Sequence, residues 1–177
     1  MAMAQETETT RMGRPITDID RAFNVQVRGV MVITTKWGGK LNGMSAAWVS
    51  RASEQPFLVM ASVYKKNYSH DLIQNSRIFA VNYLVEGQQN LAIHFGKQSG
   101  REVDKFRKVL YSTDKTGAPI LKDCLAFLDC RVINQMDSGD HTIFLGKVLS
   151  GKVVTSGRGL QFELKDYLNV SASPDGP

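Results

Sequence analysis

The spacing of apolar and polar residues changes several times along the chain, and each change marks an element. Residues 27–35, VRGVMVITT, are β-branched and apolar almost without interruption, the pattern of a buried strand. Gly38-Gly39 predicts a turn, and residues 40–53 read as a long second strand returning from it. After Gln55-Pro56, residues 57–63 predict a third strand and residues 78–83 a fourth. In the final third, residues 125–135 and 141–155 are strands divided by the turn-forming Asp137-Ser138-Gly139-Asp140. Helical spacing interrupts this series. Ile16, Ile19 and Phe23 recur at helical intervals in residues 14–24, where Pro15 suits a first turn. Residues 69–75 predict a helix with Ser69 as its N-cap. Residues 88–95 carry Leu91, Ala92 and Phe95 on one face, and residues 102–108 read as one more short helix. Short, closely spaced strands joined by turns point to a mainly β fold, an antiparallel barrel or sandwich with short helices, and not to a doubly wound parallel sheet. Residues 1–12 and 171–177 are polar and are predicted to be disordered. That leaves residues 13–170 as a single domain, with no internal repeat or dividing linker.

Composition narrows the class. Of 177 residues, 42% are hydrophobic and 22% charged, ordinary values for a globular chain. No apolar run approaches the roughly 18–20 residues that span a bilayer, and the opening MAMAQETETT lacks the apolar stretch of a secretory signal. The expectation is a cytoplasmic protein without a membrane partner. The net charge of +5 is spread along the chain and mixed with acids, so a nucleic-acid partner is not expected. The densest basic spots, Lys65-Lys66 and residues 105–108, are either solvated surface or a pocket for a phosphate-bearing small molecule. Cys124 and Cys130 bound the apolar segment CLAFLDC. If it is a strand, six residues separate them by about 20 Å, too far for a disulfide. Without a CxxC spacing they also make a poor metal site, so buried, inert thiols are expected.

Familiar catalytic motifs are absent. The chain has no GxGxxG after its first strand, no P-loop, no GxSxG elbow and no HExxH. What remains is a β-rich chain with four small polar clusters, a combination suited to a cofactor held by backbone groups and a few side chains. The first, Asn42-Gly43-Met44-Ser45-Ala46-Ala47-Trp48, would present a flat strand to a planar ring, although small residues also serve close packing. The second runs from Ser62 and Val63 through Lys65, Asn67 and Ser69 to His70. It gathers hydroxyls, an amide and a cation at a helix start that favours anions; a capped helix behind a basic loop reads equally well. The third, Ser99-Gly100-Arg101-Glu102-Val103-Asp104-Lys105-Phe106, is a loop with cations and an apolar anchor. The fourth, Gly139-Asp140-His141-Thr142, sets an imidazole at a turn, where it either handles protons near neutral pH or simply bonds locally. His70 and His94 fall on the predicted helices and read as structural or solvent-facing.

Taken in order, these segments resemble the flavin reductase-like family of FMN-binding split barrels. The resemblance runs from about Ala22 to about Asn169. It is carried by NGMSAAWVS, QPFLVMASV, KNYSHDLI, FAVN, LAIHFGKQSGREVDKF, TGAPIL and GDHTIFLGKV. It implies a Greek-key antiparallel barrel of six strands with FMN near a homodimer interface. It further implies that Asn42, Met44, Ser45, Ala46 and Trp48 line the isoalloxazine. Ser62, Lys65, Asn67 and Ser69, beside Val63, would reach the ribityl chain and phosphate. Lys105 and Phe106 would close over the site, either that of their own chain or that of a partner subunit, and His141 would stand near the flavin and nicotinamide rings. Glu54-Gln55-Pro56 departs from the family's Pro-Pro turn. The implied reaction passes a hydride from NADH or NADPH to FMN, which hands electrons to a monooxygenase or another acceptor. Two other functions fit the same residues: a flavoredoxin-like carrier that keeps its FMN and serves a redox protein or ferric chelate, and a flavin binder without turnover.

Overall fold

In the computed structural model, which describes Thr9 and residues 14–163, one antiparallel sheet organises most of the chain. Its strands are β1 (Met31–Trp37), β2 (Lys40–Ala46), β3 (Val49–Ser53), β4 (Leu58–Tyr64), β5 (Ile78–Tyr83), β8 (Ala126–Ser138) and β9 (His141–Val153). A two-residue ribbon of β6 (Tyr111–Ser112) and β7 (Ile120–Leu121) stands apart from it. The helices are α1 (Asp18–Asn24), α2 (Tyr68–Ser76) and α3 (Gln89–Gly96).

The order across the sheet is β2-β1-β5-β8-β9-β4-β3. Its two outermost strands, β2 and β3, are consecutive in the chain and separated only by Ala47 and Trp48. Two residues reach less than about 10 Å, so the ends of the sheet meet and the sheet rolls into a barrel. Counting the bent β2–β3 segment once gives six staves, the split barrel expected from the sequence. The predicted single strand over 40–53 thus becomes two, because the chain must turn from one edge to the other at Trp48. Contacts divide the chain into two compact units, Gly29–Leu160 and the terminal segments Met1–Arg28 with Gln161–Pro177.

Within Gly29–Leu160, alternating residues fill the barrel: Met31 and Ile33 from β1, Met44 from β2, Val59, Ala61 and Val63 from β4, Phe79 and Val81 from β5, and Phe144 from β9. Gly146 lies against Phe79, where a Cβ would come within 2.6 Å of the ring, so the strand needs glycine to admit the aromatic. Ile73 of α2 joins this core and α2 packs on β1 and β2, closing one end of the barrel. Outside the barrel, α3 covers the other face of β2. A buried polar clamp ties down the segment that follows. Asn82 donates to Val32 O at 3.0 Å and accepts from Leu121 N at 2.8 Å, while Asp129 accepts from Thr116 N at 2.7 Å.

Within the terminal unit, α1 begins at Asp18 and not near Arg14. Thr17 and Asp20 form a reciprocal capping box, and Arg14 pairs with Asp20 from outside the helix. The guanidinium holds the Asp20 carboxyl well below the usual carboxylate range. Arg28 lies over the Phe162 ring at 4.6 Å. Three further expectations change. The first strand starts at Met31 and not at 27, with Val27 exposed. Residues 102–108 form turns, because Phe106 is buried as an anchor rather than set on a helical face. Asn67, not Ser69, occupies the N-cap of α2. Cys124 lies just before β8 and Cys130 within it. Both are buried free thiols, pushed up to about 11 and about 12 by loss of solvation. The segments 1–12, apart from Thr9, and 171–177 lie outside the described residues.

Candidate functional site

Three elements meet at the end of the barrel that α2 closes. Strand β4 pairs with β9 so that Tyr64 sits opposite His141, and the tight turn at Gly139, with φ of 61°, brings β9 back there. Beyond β4 the chain enters α2 through Lys65, Lys66 and Asn67. On the far side of β4, Ser62 N donates to Trp48 O at 2.9 Å, which fixes the β2–β3 corner beside the same spot. Alternation along these strands turns Val63 into the core and Ser62 and Tyr64 outward.

The outcome is a three-ring stack. The His141 imidazole lies 4.8 Å from the Trp48 ring and 5.4 Å from Tyr64, tilted by 44° and 45°. Trp48 is 46% exposed, so one face of the stack is open to a ligand. His141 Nδ1 lies 2.6 Å from Asp140 Oδ1. That bond holds the Asp140 carboxyl below its ordinary range, so it is ionised at neutral pH and Nδ1 carries the hydrogen.

Beside the rings is a cation-rich helix start. Lys65 Nζ donates to Gly139 O at 2.8 Å and lies 3.1 Å from Asp137, pinned to the same turn as His141. Asn67 caps α2 by position only. Its side chain makes no capping bond and instead donates to Met44 Sδ at 3.4 Å, leaving first-turn amides for an incoming anion. Arg101 adds a second cation that the sequence had set in a separate loop. It donates to Lys66 O at 3.2 Å, pairs with Asp71 and lies 5.0 Å over the Tyr68 ring. Tyr64 and Arg101 fall in the second and third polar clusters, but the family resemblance gives neither a part in the site. A loop cation thirty-five residues downstream has no local signal, whereas Tyr64 adjoins Lys65 and was open to suspicion.

Trp48, Ser62, Lys65, Asn67 and His141 therefore come together, with Met44 just beneath. The other expected site residues are taken up elsewhere in this chain. Asn42 is buried and donates to Ser69 Oγ at 3.0 Å; Ser69 points inward from the first turn of α2, so its hydroxyl is not at the surface to meet a phosphate. Ser45 donates to Ala92 O of α3, and Ala46 packs against the core. Val63 is wholly buried in that core, so only its backbone can take part. Within its own chain Lys105 is an anchor and does not cover the Trp48–His141 stack. Its buried ammonium donates to Gly43 O and Phe95 O, both at 2.9 Å, and Phe106 packs against Phe95 and Tyr111. The flat face of Gly43 is thereby filled by Phe95, which a Cβ there would meet at 2.8 Å. His70 bonds Thr142 at 2.9 Å and His94 bonds Lys105 O at 2.7 Å, both structural as expected.

Known proteins agree with this architecture. The flavin reductase-like domain model matches residues 26–170. A diflavin flavoprotein A 1 from Synechocystis is 36% identical over 137 residues, 77% of this chain but 24% of that protein. The chain spans about a quarter of the length of the diflavin flavoproteins it matches. Among solved structures, the flavin reductase PheA2 superposes with a TM-score of 0.74 at 34% identity, covering 84% of this chain and 94% of that one. The Streptomyces globisporus NADH:FAD oxidoreductase SgcE6 gives a TM-score of 0.77 at 29% identity, covering 92% of each chain. With the family's domain matched over most of its length and its split barrel in place, this chain belongs to the flavin reductase-like family.

Proposed function

We propose that this chain is an FMN-binding, NAD(P)H-dependent flavin reductase that works in the cytoplasm as a homodimer. One observation carries the reading: a half-open stack of Trp48, His141 and Tyr64 lies directly against the cation-rich start of α2. An aromatic face suits a planar ring system, and uncapped helix amides with Lys65 and Arg101 suit an anionic tail, so these residues fit a flavin mononucleotide. When bound, FMN supplies the hydride-accepting ring, and the nicotinamide supplies the hydride. The chain's own residues do the rest. Trp48 shields the ring from water, and Ser62 and Asn67 offer polar contacts along the tail. Lys65 balances the phosphate charge, and His141 Nε2 orients the donor or holds a proton at the ring's edge. Asn42, Ser45 and Lys105 hold β2 against α2 and α3, which keeps Met44 beneath the pocket. Among the described residues no helix is long and apolar enough to cross a membrane.

Affinity for FMN against riboflavin tests the site. Charge-assisted bonds to the phosphate contribute about 1.5–3 kcal/mol each, so FMN is expected to bind at least tenfold more tightly, and Lys65→Ala to remove much of that difference. Equal affinity for the two flavins would dismiss the phosphate site. Anaerobic mixing with NADH and with NADPH then separates a reductase from a binder: bleaching of the flavin supports turnover. Retention of flavin through gel filtration in reducing buffer would favour the electron carrier.

A further inference from the structure

His70 does more than help α2 close the end of the barrel. Its ring lies 5.4 Å from the Phe144 ring, and Nε2 lies 2.9 Å from Thr142 Oγ1 on β9. The other ring nitrogen is differently placed. Nδ1 is buried and has no hydrogen-bond partner, yet Asp71 Oδ1 stands 3.6 Å away, within ion-pair distance. The second oxygen of that carboxylate is engaged by Arg101, which also donates to Lys66 O at 3.2 Å, at the entry to α2. One carboxylate therefore stands between an imidazole and a guanidinium. The remaining charged groups on the elements around the ring are committed elsewhere. Asp137, opposite Thr142 on β8, lies 3.1 Å from Lys65, whose Nζ also donates to Gly139 O. His141, the neighbour of Thr142, is bonded to Asp140, and Arg77 past the end of α2 donates to Gln135. Lys66 is exposed to solvent.

A proton on His70 changes which groups are satisfied. The neutral ring is paired at Nε2 and unpaired at Nδ1. The imidazolium donates at both nitrogens: Nε2–H to the Thr142 hydroxyl, which accepts, and Nδ1–H toward Asp71 Oδ1. A positive ring beside Asp71 then balances the carboxylate, and Arg101 is no longer needed there. We infer that His70 and Asp71 form a proton-linked switch that sets how freely Arg101 turns to the phosphate of FMN. The inference rests on the phosphate seat proposed above at the start of α2. With the ring neutral, Arg101 serves Asp71, and the phosphate competes with a carboxylate for it. With the ring charged, Arg101 serves the phosphate. The coupling is reciprocal: FMN that draws Arg101 away leaves Asp71 to hold a proton on His70. A fall in pH through the imidazole range therefore tightens the hold on FMN, and a rise favours its release. Asp71 and Arg101 are both about half exposed, so the coupling is modest and weakens with added salt.

The test follows the His70 ring by NMR across pH in the full chain, without flavin, with FMN and with riboflavin. Arg101→Gln, without flavin, is expected to raise the proton affinity of His70 about threefold or more, because Asp71 is then left to the imidazole alone. In the native chain FMN should do the same and riboflavin should not. Asp71→Asn should remove both responses. His70→Gln keeps an amide for Thr142 but cannot titrate. It should cancel the part of the FMN affinity, taken relative to riboflavin, that grows toward acid pH. The phosphate's own ionisation, at about pH 6 and of opposite sign, is common to both chains and drops out of that comparison. If His70→Gln fails to fold, the difference between FMN and riboflavin at the native His70 still decides. A His70 titration unmoved by Arg101→Gln would overturn the switch. A response to Arg101→Gln with none to FMN would leave the His70–Asp71–Arg101 link standing and overturn the phosphate seat instead.

Discussion

His141 is held by its neighbours more tightly than its place in a turn would suggest. Asp140 stays ionised through the neutral range, because its hydrogen bond with the imidazole lowers its pKa. The sign follows: the bond is intact above the ordinary carboxylate range and is lost only as pH falls through the lowered value. In that state Nδ1 carries the hydrogen and the ring is held between Trp48 and Tyr64. His141→Ala is therefore expected to slow flavin reduction about tenfold or more in stopped-flow mixing, while FMN stays bound. Loss of FMN instead would move His141 into the binding shell. Asp140→Asn should slow reduction less, since it frees the ring's orientation but keeps the ring. The two cysteines make a second prediction at this scale. With thiols at about 11 and about 12, the thiolate fraction near pH 8 is about a hundredfold to a thousandfold below that of a free cysteine. Iodoacetamide should leave the folded chain unmodified and add two groups after denaturation, read by intact mass. His141 and the buried cysteines were legible in the sequence, because a GDH turn and an apolar CLAFLDC segment signal locally. Ser69 was misread, because which way a hydroxyl points in a first helical turn depends on the strand beneath it, here Asn42.

Between residues and the whole lies the joint of β2, α3 and the 99–106 loop. Its centre is Lys105, a buried ammonium that caps the carbonyls of Gly43 and Phe95. These belong to two elements, β2 and α3. The sequence showed a cation beside an apolar residue in a polar loop, a pattern shared by lids and by anchors. The close approach of α3 to Gly43 makes it an anchor within its own chain. The same limit explains the strands. Their existence was readable from β-branched runs, and residues 78–83 match β5 from end to end. The break at Ala47-Trp48 was not readable, because it comes from barrel closure and leaves no turn residue behind. FAVN and TGAPIL, two of the segments that carried the family likeness, prove to be the clamp of Asn82 and Asp129 rather than parts of the site. Lys105→Ala is expected to remove about 2–4 kcal/mol of stability, measured by urea unfolding, because it leaves two buried carbonyls without this donor and opens a void. An unchanged midpoint would return Lys105 to the lid role.

Strands β2 and β3 end the sheet and each pairs on one side only, and the homodimer proposed above needs an apolar face. The outer surface of β8, β9, β4 and β3 offers one. Met60 is 41% exposed, Met136 59% and Ile133 49%, and Ile143 and Leu145 lie between them on β9. The register puts Met60 opposite Leu145 and Met136 opposite Ile143, so these side chains form a continuous apolar band across three strands. A contiguous apolar band marks an interaction surface more often than scattered apolar residues do, and it runs toward Trp48, at the corner that precedes β3. A partner seated there would cover the open side of the Trp48–His141 stack, which is why dimerisation and flavin binding are expected to be linked. Met60→Glu and Met136→Glu should leave the fold intact, since both side chains already reach solvent. Each is expected to weaken self-association about a hundredfold, because a charge would be buried without a partner in the interface. Light scattering across a dilution series should show a dimer for the native chain and monomers for both variants. FMN affinity should fall in parallel, most for Met60→Glu, which lies nearer Trp48. A native chain that is monomeric with full flavin occupancy would refute the dimer. Monomeric variants that bind FMN as tightly as the native chain would instead sever the link, and would show that one barrel covers the flavin by itself.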